Sequence, residues 1–249
     1  MKKNPQYQQL SNPFTRKYKV LDTLEYRDHG QLSFGFSFDE ANDDYKVVRI
    51  LVSNDPQQHP NEVNVYSLKL TSWRRINDFP FNGYSLESVG CFVDGGFNWL
   101  ASNLSKSLSV VSYNLELEEF NEITILVSVH IDEDCNVDLQ AMDGKLCLLE
   151  VYHPISIDLW VLVNHWMKMY SLLENGVLTN LMDIKLLSCS KNGQRILLSD
   201  NKDLIWYDLL DNTSKRVTVR GFPPHPHFDA HMCFEYLVSL GDDSLFDEN

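Results

Sequence analysis

The residues best suited to bind a metal ion lie close together near the C-terminal end of the chain. In the segment HPHFDAHMC, side chains that can bind zinc occupy alternate positions, so an extended strand would place them all on one face. Alternate residues of one strand are about 6.5 to 7 Å apart, however, so one strand rarely supplies more than two ligands. We interpret the segment as a loop leading into a final strand, and we predict no metal site and no cofactor. The five side chains are His225, His227, Asp229, His231 and Cys233.

Neighbouring carboxylates are the other candidates for chemistry, as general acids and bases. They are adjacent to one another on polar turns, whereas acid–base catalysis needs carboxyl groups held in different environments. We therefore interpret them as solvated hairpin tips. The chain also lacks the GxSxG, HExxH, P-loop and GxGxxG motifs, so we predict no catalytic residue and no enzyme. The carboxylate groups are Asp43/Asp44, Glu118/Glu119 and Asp132/Glu133/Asp134.

A regularly spaced aromatic residue indicates what kind of structure carries these side chains. Tyr66, Tyr113, Trp160 and Tyr207 follow one another at intervals of 47 residues, each between an apolar run and a polar turn. A strand-rich period of about 40 to 50 residues is typical of the blades of a β-propeller, each of which is a four-stranded sheet. We expect these residues to occupy equivalent positions and to pack between blades rather than form a ligand platform. The same interpretation applies to Trp73, Trp99 and Phe120.

A second repeat supplies the other hairpin of each blade. Asp94-Gly95, Asp143-Gly144 and Asn192-Gly193 each separate two apolar runs, and their glycines are 49 residues apart. Such dipeptides favour tight hairpins, because the centre of the turn needs positive φ. The sequence therefore predicts an all-β, propeller-like array of four-stranded antiparallel blades at residues 32–77, 88–124, 137–173 and 184–220.

The flanking segments are too short for whole blades. Residues 11–21 resemble the outer end of a preceding blade whose first strands are absent, and residues 228–240 resemble a lone strand. A propeller closes when one terminus completes the sheet of the other, because an open ring leaves strand edges unpaired, so we expect a partial ring here, or one cut at its N-terminus. We further expect a disordered tail at residues 1–10, the domain at 11–240 and a disordered acidic tail at 241–249.

Composition restricts the class of partner. The chain has 21 Lys and Arg against 35 Asp and Glu, a formal net charge of −14, and no dense basic patch, which argues against a nucleic acid. Its five cysteines are scattered without a CxxC pair, which indicates a reducing compartment. No run approaches the ~20 apolar residues of a membrane helix. We expect a soluble protein, cytoplasmic or nuclear or both, with no membrane partner.

Several longer strings resemble the F-box-associated domain of plant F-box proteins, the group that includes the F-box/kelch-repeat and S-locus F-box proteins. The similarity begins at NPFTRKYKVL, continues through GFSFD and DDYKVV, and is strong again in VYSLKLTSWR. Later matches are weaker: Asn98 stands where the family usually has histidine in GFNWLA, and FEYLVSL resembles the family's last motif. Together the matches run from Asn12 to Leu240.

The resemblance implies the substrate-recognition domain of a Skp–cullin–F-box ubiquitin ligase. Family members begin with a helical F-box that binds the Skp adaptor, and no segment before Asn12 can supply one. We therefore expect this chain to bind a target protein, and to bind the Skp adaptor only if an F-box lies upstream. Two alternatives stay open: a propeller enzyme, a hydrolase or lyase with axial polar residues from several blades, and a non-functional fragment.

The variable connectors are the segments in which we expect the target protein to bind. Loops carry function while strands hold the shape, and these connectors differ from one another in length and chemistry. We expect them to engage a protein from one face of the array. They are Ser53 to Asn61, Asp78 to Ser88, Ile131 to Asn136 and Asn175 to Asp183.

Overall fold

All regular structure described in this protein is β-strand. The computed structural model describes residues 9–12, 15–22, 24, 30–76, 79–125, 135–152, 156–173, 177, 184–217, 230 and 244–245. Among these residues there is no helix long and apolar enough to cross a membrane. The strands, in chain order, are β1 (Gln9–Asn12), β2 (Lys17–Val20), β3 (Gly30–Asp39), β4 (Asp44–Ser53), β5 (Glu62–Ser67), β6 (Ser72–Arg75), β7 (Ser85–Leu86), β8 (Cys91–Val93), β9 (Gly96–Ser102), β10 (Leu108–Asn114), β11 (Glu119–Thr124), β12 (Cys135–Met142), β13 (Lys145–Tyr152), β14 (Ser156–Leu162), β15 (Trp166–Leu173), β16 (Lys185–Cys189), β17 (Arg195–Ser199), β18 (Leu204–Asp208), β19 (Thr213–Val217) and β20 (Ser244–Leu245).

Four antiparallel sheets follow one another along the chain and confirm the predicted array of blades. The first blade has the strand order β3-β4-β5-β6, the third β12-β13-β14-β15 and the fourth β16-β17-β18-β19. The second blade has the order β11-β10-β9, with both β7 and β8 paired to β9. The first strands of neighbouring blades contact one another, as expected of sheets arranged around an axis.

The interruption between β7 and β8 was not predicted, and it joins the first two blades. Between β7 and β8 the backbone does not pair with β9; instead, Val89 forms a parallel bridge with Phe34 on β3. The N–H of Phe34 donates to the carbonyl of Ser88 at 2.9 Å, and the N–H of Gly90 donates to the carbonyl of Phe34 at 2.7 Å. The first strand of the second blade thus pairs partly with its own sheet and partly with the first blade.

Two of the three predicted turn dipeptides have the backbone conformation that tight hairpins need, whereas Asn192-Gly193 lies in a longer turn. Asp94 and Gly95 have φ of 50° and 75°, and Asp143 and Gly144 have φ of 50° and 72°. Positive φ at both central residues matches the right-handed twist of the two flanking strands. Gly193, with φ of 69°, lies in the longer turn between β16 and β17.

The four periodic aromatic residues occupy the third strand of their blades and face the preceding sheet. Tyr113 packs in the buried cluster between the first and second blades, and Tyr207 packs in the cluster between the third and fourth. Trp160 packs against the cluster between the second and third blades, and Tyr66 lies between the first blade and the strands before it. The 47-residue period therefore reflects one repeated contact, between each blade and the strands that precede it.

A small sheet combines strands from both ends of the chain. β1 and β2 form a hairpin, and β20 pairs with β2 through the register Lys17 to Leu245 and Tyr18 to Ser244. The expectation of a partial ring did not include this pairing of strands from the two ends. The small sheet also places strand within both segments for which we expected disordered tails, since β1 begins at Gln9 and β20 lies beyond residue 240. These segments form strand because β20 covers the edge of the hairpin of β1 and β2, which alone would leave backbone groups unpaired.

Candidate functional site

The strand order assigns every turn and connector to one of two ends of the blades. Turns between the first and second strands, and between the third and fourth, lie at one end, which we call the turn end. Loops between the second and third strands, and the segments between blades, lie at the other, the connector end. The described strand residues next to all four predicted connectors lie at the connector end, although residues 131–134 and most of 175–183 are outside the described part of the chain.

A buried asparagine ties two of the predicted connectors together. Asn61 accepts a hydrogen bond from the N–H of Ser53 at 2.8 Å, which closes the loop between β4 and β5. Its amide nitrogen donates to the carbonyl of Phe79 at 3.3 Å and to the side-chain oxygen of Asn82 at 3.0 Å. Sequence reasoning missed Asn61 as an organising residue, because its partners are 18 and 21 residues away.

Aromatic rings of the connector between the first and second blades pack against one another and against the second blade. The Phe79 ring is buried, with its centroid 5.4 Å from that of Phe81 and 5.3 Å from that of Phe120 on β11. Tyr84 lies 5.4 Å from Phe81, and its hydroxyl donates to Glu122 at 2.9 Å. This connector is therefore an ordered, packed segment rather than an open loop.

A third loop completes a surface at the connector end of the first two blades. In the loop between β9 and β10, the side-chain oxygen of Asn103 accepts from the N–H groups of Ser105 and Ser107 at 2.9 and 3.0 Å. A Cβ atom at Gly83 would lie 3.3 Å from Leu104, so this loop touches the connector. We call residues 54–61, 79–84 and 103–107 together the connector surface.

The chemistry of the connector surface fits a protein partner. Its exposed side chains are four amides, two prolines, two serines, one Asp, one Lys and the strongly exposed Leu104. Amide, proline and leucine side chains supply hydrogen bonds and apolar contact without a strong field, as is usual at protein interfaces. A phosphate backbone would meet almost no net positive charge here.

Two carboxylates from neighbouring blades, Glu87 and Asp138, interact electrostatically. Burial, and next the charge of Asp138, raise the pKa of Glu87, which follows β7. Burial also raises the pKa of Asp138 on β12, against the opposing effects of Gln140 and Lys185. The described histidines, His59 and His165, lie in a connector-end loop and a turn-end turn, so neither joins this pair. The convergent set of histidines and carboxylates that a propeller enzyme would need is not found among the described residues.

The adjacent carboxylates of the first blade differ from our expectation. Asp43 is exposed and pairs with Lys69 at 3.0 Å, but Asp44 is buried and was wrongly interpreted as a solvated tip. Asp44 accepts from the N–H of Lys69 at 2.8 Å, from the hydroxyl of Ser67 and from Lys46 at 2.8 Å. Burial alone would raise the pKa of this carboxyl, but these hydrogen bonds outweigh it and lower the pKa. Asp44 thus ties the two turns of its blade together.

The other candidate side chains lie only partly within the described residues. Glu118 forms an ion pair with Arg74 of the first blade, while Glu119 is exposed. Residues 132–134 and the segment from His225 to Cys233 lie outside the described part of the chain, apart from Ala230. In the described residues no group of three or more His, Cys, Asp or Glu side chains could hold a metal ion. Burial raises the pKa of Cys91 to about 12 and that of Cys147 to about 11, so both thiols are poor nucleophiles near neutral pH.

The tryptophans of the first two blades hold sheets together. Trp99 is fully buried, and its indole N–H donates to the carbonyl of Phe34 at 3.1 Å. Trp73 is partly buried, lies 5.2 Å from the ring of Tyr66, and donates to the carbonyl of Asp22 at 2.8 Å. These contacts agree with the expectation that the aromatic residues pack between sheets.

The repeated four-stranded sheets, with first strands in mutual contact, define the β-propeller class of protein. Residues 1–239 match the family described as F-box associated beta propeller domain. The chain belongs to this family, as the resemblance in its motifs implied.

Similar proteins are found in Arabidopsis thaliana. F-box protein At4g22390 is 26% identical over 265 aligned residues, which cover 92% of this chain and 63% of that protein. F-box protein CPR1 is 24% identical, covering 91% of this chain and 62% of its own length. F-box/kelch-repeat protein At3g23880 is 29% identical, covering 66% of this chain and 47% of its own length. This chain therefore spans less than two thirds of the length of these relatives.

Among solved structures, that of TolB from Acinetobacter baumannii is similar to this chain with a TM-score of 0.44 at 15% identity. The similarity covers 85% of this chain and 52% of TolB.

Proposed function

We propose that this chain is the target-recognition domain of a Skp–cullin–F-box ubiquitin ligase, and that it binds its target protein through the connector surface. Membership of the F-box associated family and relatives named as F-box proteins support the ligase assignment. The observation that carries the binding proposal is Asn61, which fixes two connectors of different blades in one ordered surface.

Preorganisation is the physical reason for choosing this surface. A segment that is already hydrogen-bonded and packed loses little conformational freedom on binding, so more of its contact energy appears as affinity. The Skp adaptor binds through an F-box in this proposal, so ubiquitin transfer requires an F-box in the same polypeptide as this domain. The proposed site of action is the cytoplasm or the nucleus, where Skp–cullin ligases would meet their targets.

The test uses exposed positions, because replacing the whole connector would remove the buried Phe79 and Leu86 from the core. Residues 1–249 are fused to the F-box of F-box protein CPR1 and produced in Arabidopsis thaliana, and ubiquitinated proteins are quantified by mass spectrometry. Leu104→Asp is the test variant, and Met169→Asp on the outer strand β15 is its matched control, because Met169 is also exposed but lies outside the connector surface.

We expect a small set of proteins whose ubiquitination rises with the wild-type fusion and with the control. The same proteins should return to background with Leu104→Asp, since a charge would be placed where an apolar contact is needed. The proposal fails if no protein responds to the wild-type fusion, or if the Leu104→Asp fusion produces the same set.

A further inference from the structure

In every one of the four blades, the turn between the third and fourth strands exposes one large aliphatic side chain at the turn end. Each of these turns is only three or four residues long, yet they hold four of the twelve exposed large hydrophobic residues in the described part of the chain. Turn positions normally favour polar residues and glycine. The exposed fractions are 74% for Leu70, 65% for Leu117, 59% for Val163 and 69% for Leu210.

The backbone of three of these residues is held by a polar side chain at the end of the third strand. The N–H of Leu70 donates to the hydroxyl of Ser67 at 3.0 Å. The N–H of Leu117 donates to the side-chain oxygen of Asn114 at 2.7 Å. The equivalent bond from Leu210 to the carboxylate of Asp208 measures 3.1 Å. The same kind of cap therefore fixes each leucine while its side chain stays in solvent.

A second hydrogen bond ties each of these turns to the neighbouring turn of its own blade. The N–H of the first turn residue donates to a backbone carbonyl at or beside the turn between the first and second strands. The three bonds are Leu68 to Tyr45 at 3.0 Å, Leu115 to Gly95 at 3.0 Å and Leu209 to Gln194 at 2.9 Å. Held at two points, the turns present their leucines in a fixed position, and a partner would lose little entropy in covering them.

Two of the exposed leucines belong to one continuous surface. Arg74, which follows the Leu70 turn on β6, forms a two-point ion pair with Glu118, the residue after Leu117, and one of its bonds measures 3.1 Å. Leu70 and Leu117 therefore flank a charged bridge between the first and second blades. A partner that covers this bridge would contact both leucines.

The charge of the turn end indicates what chemistry the partner has. The described turns at this end contain seven Asp or Glu side chains and two Lys side chains. A second copy of the chain carries the same net charge of −14, which opposes association. The seven acidic residues are Glu40, Asp43, Asp94, Glu116, Glu118, Asp143 and Asp211.

We propose that the turn end is a second interaction surface, separate from the connector surface, and that it binds a protein whose contact area combines Lys or Arg side chains with small apolar pockets. The leucines enter the pockets, and the acidic residues around them meet the basic side chains. The domain can then hold two proteins at once, one at each end of its blades.

The experiment first identifies the partner and then measures its affinity. Two variants of residues 1–249 are made, one with a photo-reactive amino acid in place of Leu117 and one with it in place of Leu104 of the connector surface. Both variants are irradiated in Arabidopsis thaliana extract. The protein that cross-links at position 117 and not at 104 is purified, and its dissociation constant for residues 1–249 is measured by titration. The variants are Leu70→Ser/Leu117→Ser and, as the matched control, Leu104→Ser.

We expect the double variant to raise the dissociation constant about tenfold or more, because exposed apolar anchors contribute strongly where they become buried. Leu104→Ser should leave the constant unchanged, and added salt should weaken binding because surface charges are screened. The melting temperatures of the variants confirm that they fold. The proposal is overturned if every protein that cross-links at position 117 also cross-links at position 104. It is also overturned if the double variant binds like the wild type, or if salt leaves the affinity unchanged.

Discussion

The side chain of Gln31 hydrogen-bonds both backbone groups of Leu86, across the junction between the first and second blades. Its amide nitrogen donates to the carbonyl of Leu86 at 2.6 Å, and its oxygen accepts from the N–H of Leu86 at 3.2 Å. Gln140 makes the same kind of contact between the third and fourth blades, to the N–H of Leu186 at 2.7 Å and the carbonyl of Ile184 at 3.2 Å. One glutamine amide thus substitutes for a strand partner at each of two blade junctions.

Replacing Gln140 with alanine should lower the free energy of unfolding by about 1 to 3 kcal/mol, because backbone groups of Ile184 and Leu186 lose their partner. Denaturant titration measures the change. Gln58→Ala is the matched control, since that side chain is exposed in a loop, and it should change stability by less than about 0.5 kcal/mol. Equal effects of the two substitutions would contradict a bridging role for Gln140.

Gly90→Ala should destabilise the junction of the first two blades. A Cβ atom at Gly90 would lie 2.6 Å from the indole of Trp99, which is fully buried. Overpacking of this kind typically costs about 1 to 3 kcal/mol. The control is Gly144→Asn, where nothing lies within 4 Å and asparagine tolerates the positive φ of 72°. A thermal melt in which Gly90→Ala is no less stable than Gly144→Asn would show that the ring has room.

The stabilising effect of Asp44 should depend on pH. Its pKa is lowered in the folded protein, so its contribution is present above the ordinary Asp pKa of about 3.9 and is lost as the pH falls through the folded value. The difference in unfolding free energy between wild type and Asp44→Asn should therefore be large at pH 7 and should shrink in acid. Asp43→Asn serves as the control, because an exposed ion pair contributes only about 0 to 1 kcal/mol. A pH-independent difference for Asp44→Asn would refute the assignment.

Trp99→Ala should cost about 3 to 5 kcal/mol, the usual range for truncating a fully buried tryptophan. Trp73→Ala should cost less, because Trp73 is only partly buried. Both should lower the melting temperature rather than remove binding selectively. Normal melting together with lost target binding would instead identify these tryptophans as contact residues.

The order of blades was predictable because each repeat buries the same residue against the same neighbour. An aromatic residue that always faces the preceding sheet keeps its spacing, as Tyr113 and Tyr207 show. The hairpin glycines were predictable for a related reason, since few residues accept the φ of 75° found at Gly95.

Contacts that depend on distant partners could not be read from the sequence. The burial of Asp44 needs Ser67 and Lys69 from another hairpin, and a pair of adjacent carboxylates gives no sign of this. The interruption after Leu86 was missed because the segment to Gly90 satisfies its hydrogen bonds with Phe34, far away in the sequence.

The connectors could be identified from the sequence, but their organisation could not. Connectors of irregular length indicated which end of the blades varies, but the single amide of Asn61 that joins two of them has no local signature. The exposed leucines escaped notice for a different reason. Leu70 and Leu117 each come shortly after a strand, so in the sequence alone they look like further residues of that strand.

The pairing of β2 with β20 makes the small sheet depend on strands that are synthesised far apart in time. Lys17 and Tyr18 leave the ribosome well before their partners Leu245 and Ser244, because all four blades lie between them in the sequence. The four blades pair strands that are near neighbours in sequence, so each can form as it emerges. The hairpin of β1 and β2 keeps one edge uncovered until β20 has been synthesised, and chaperones would have the most reason to bind it in that interval.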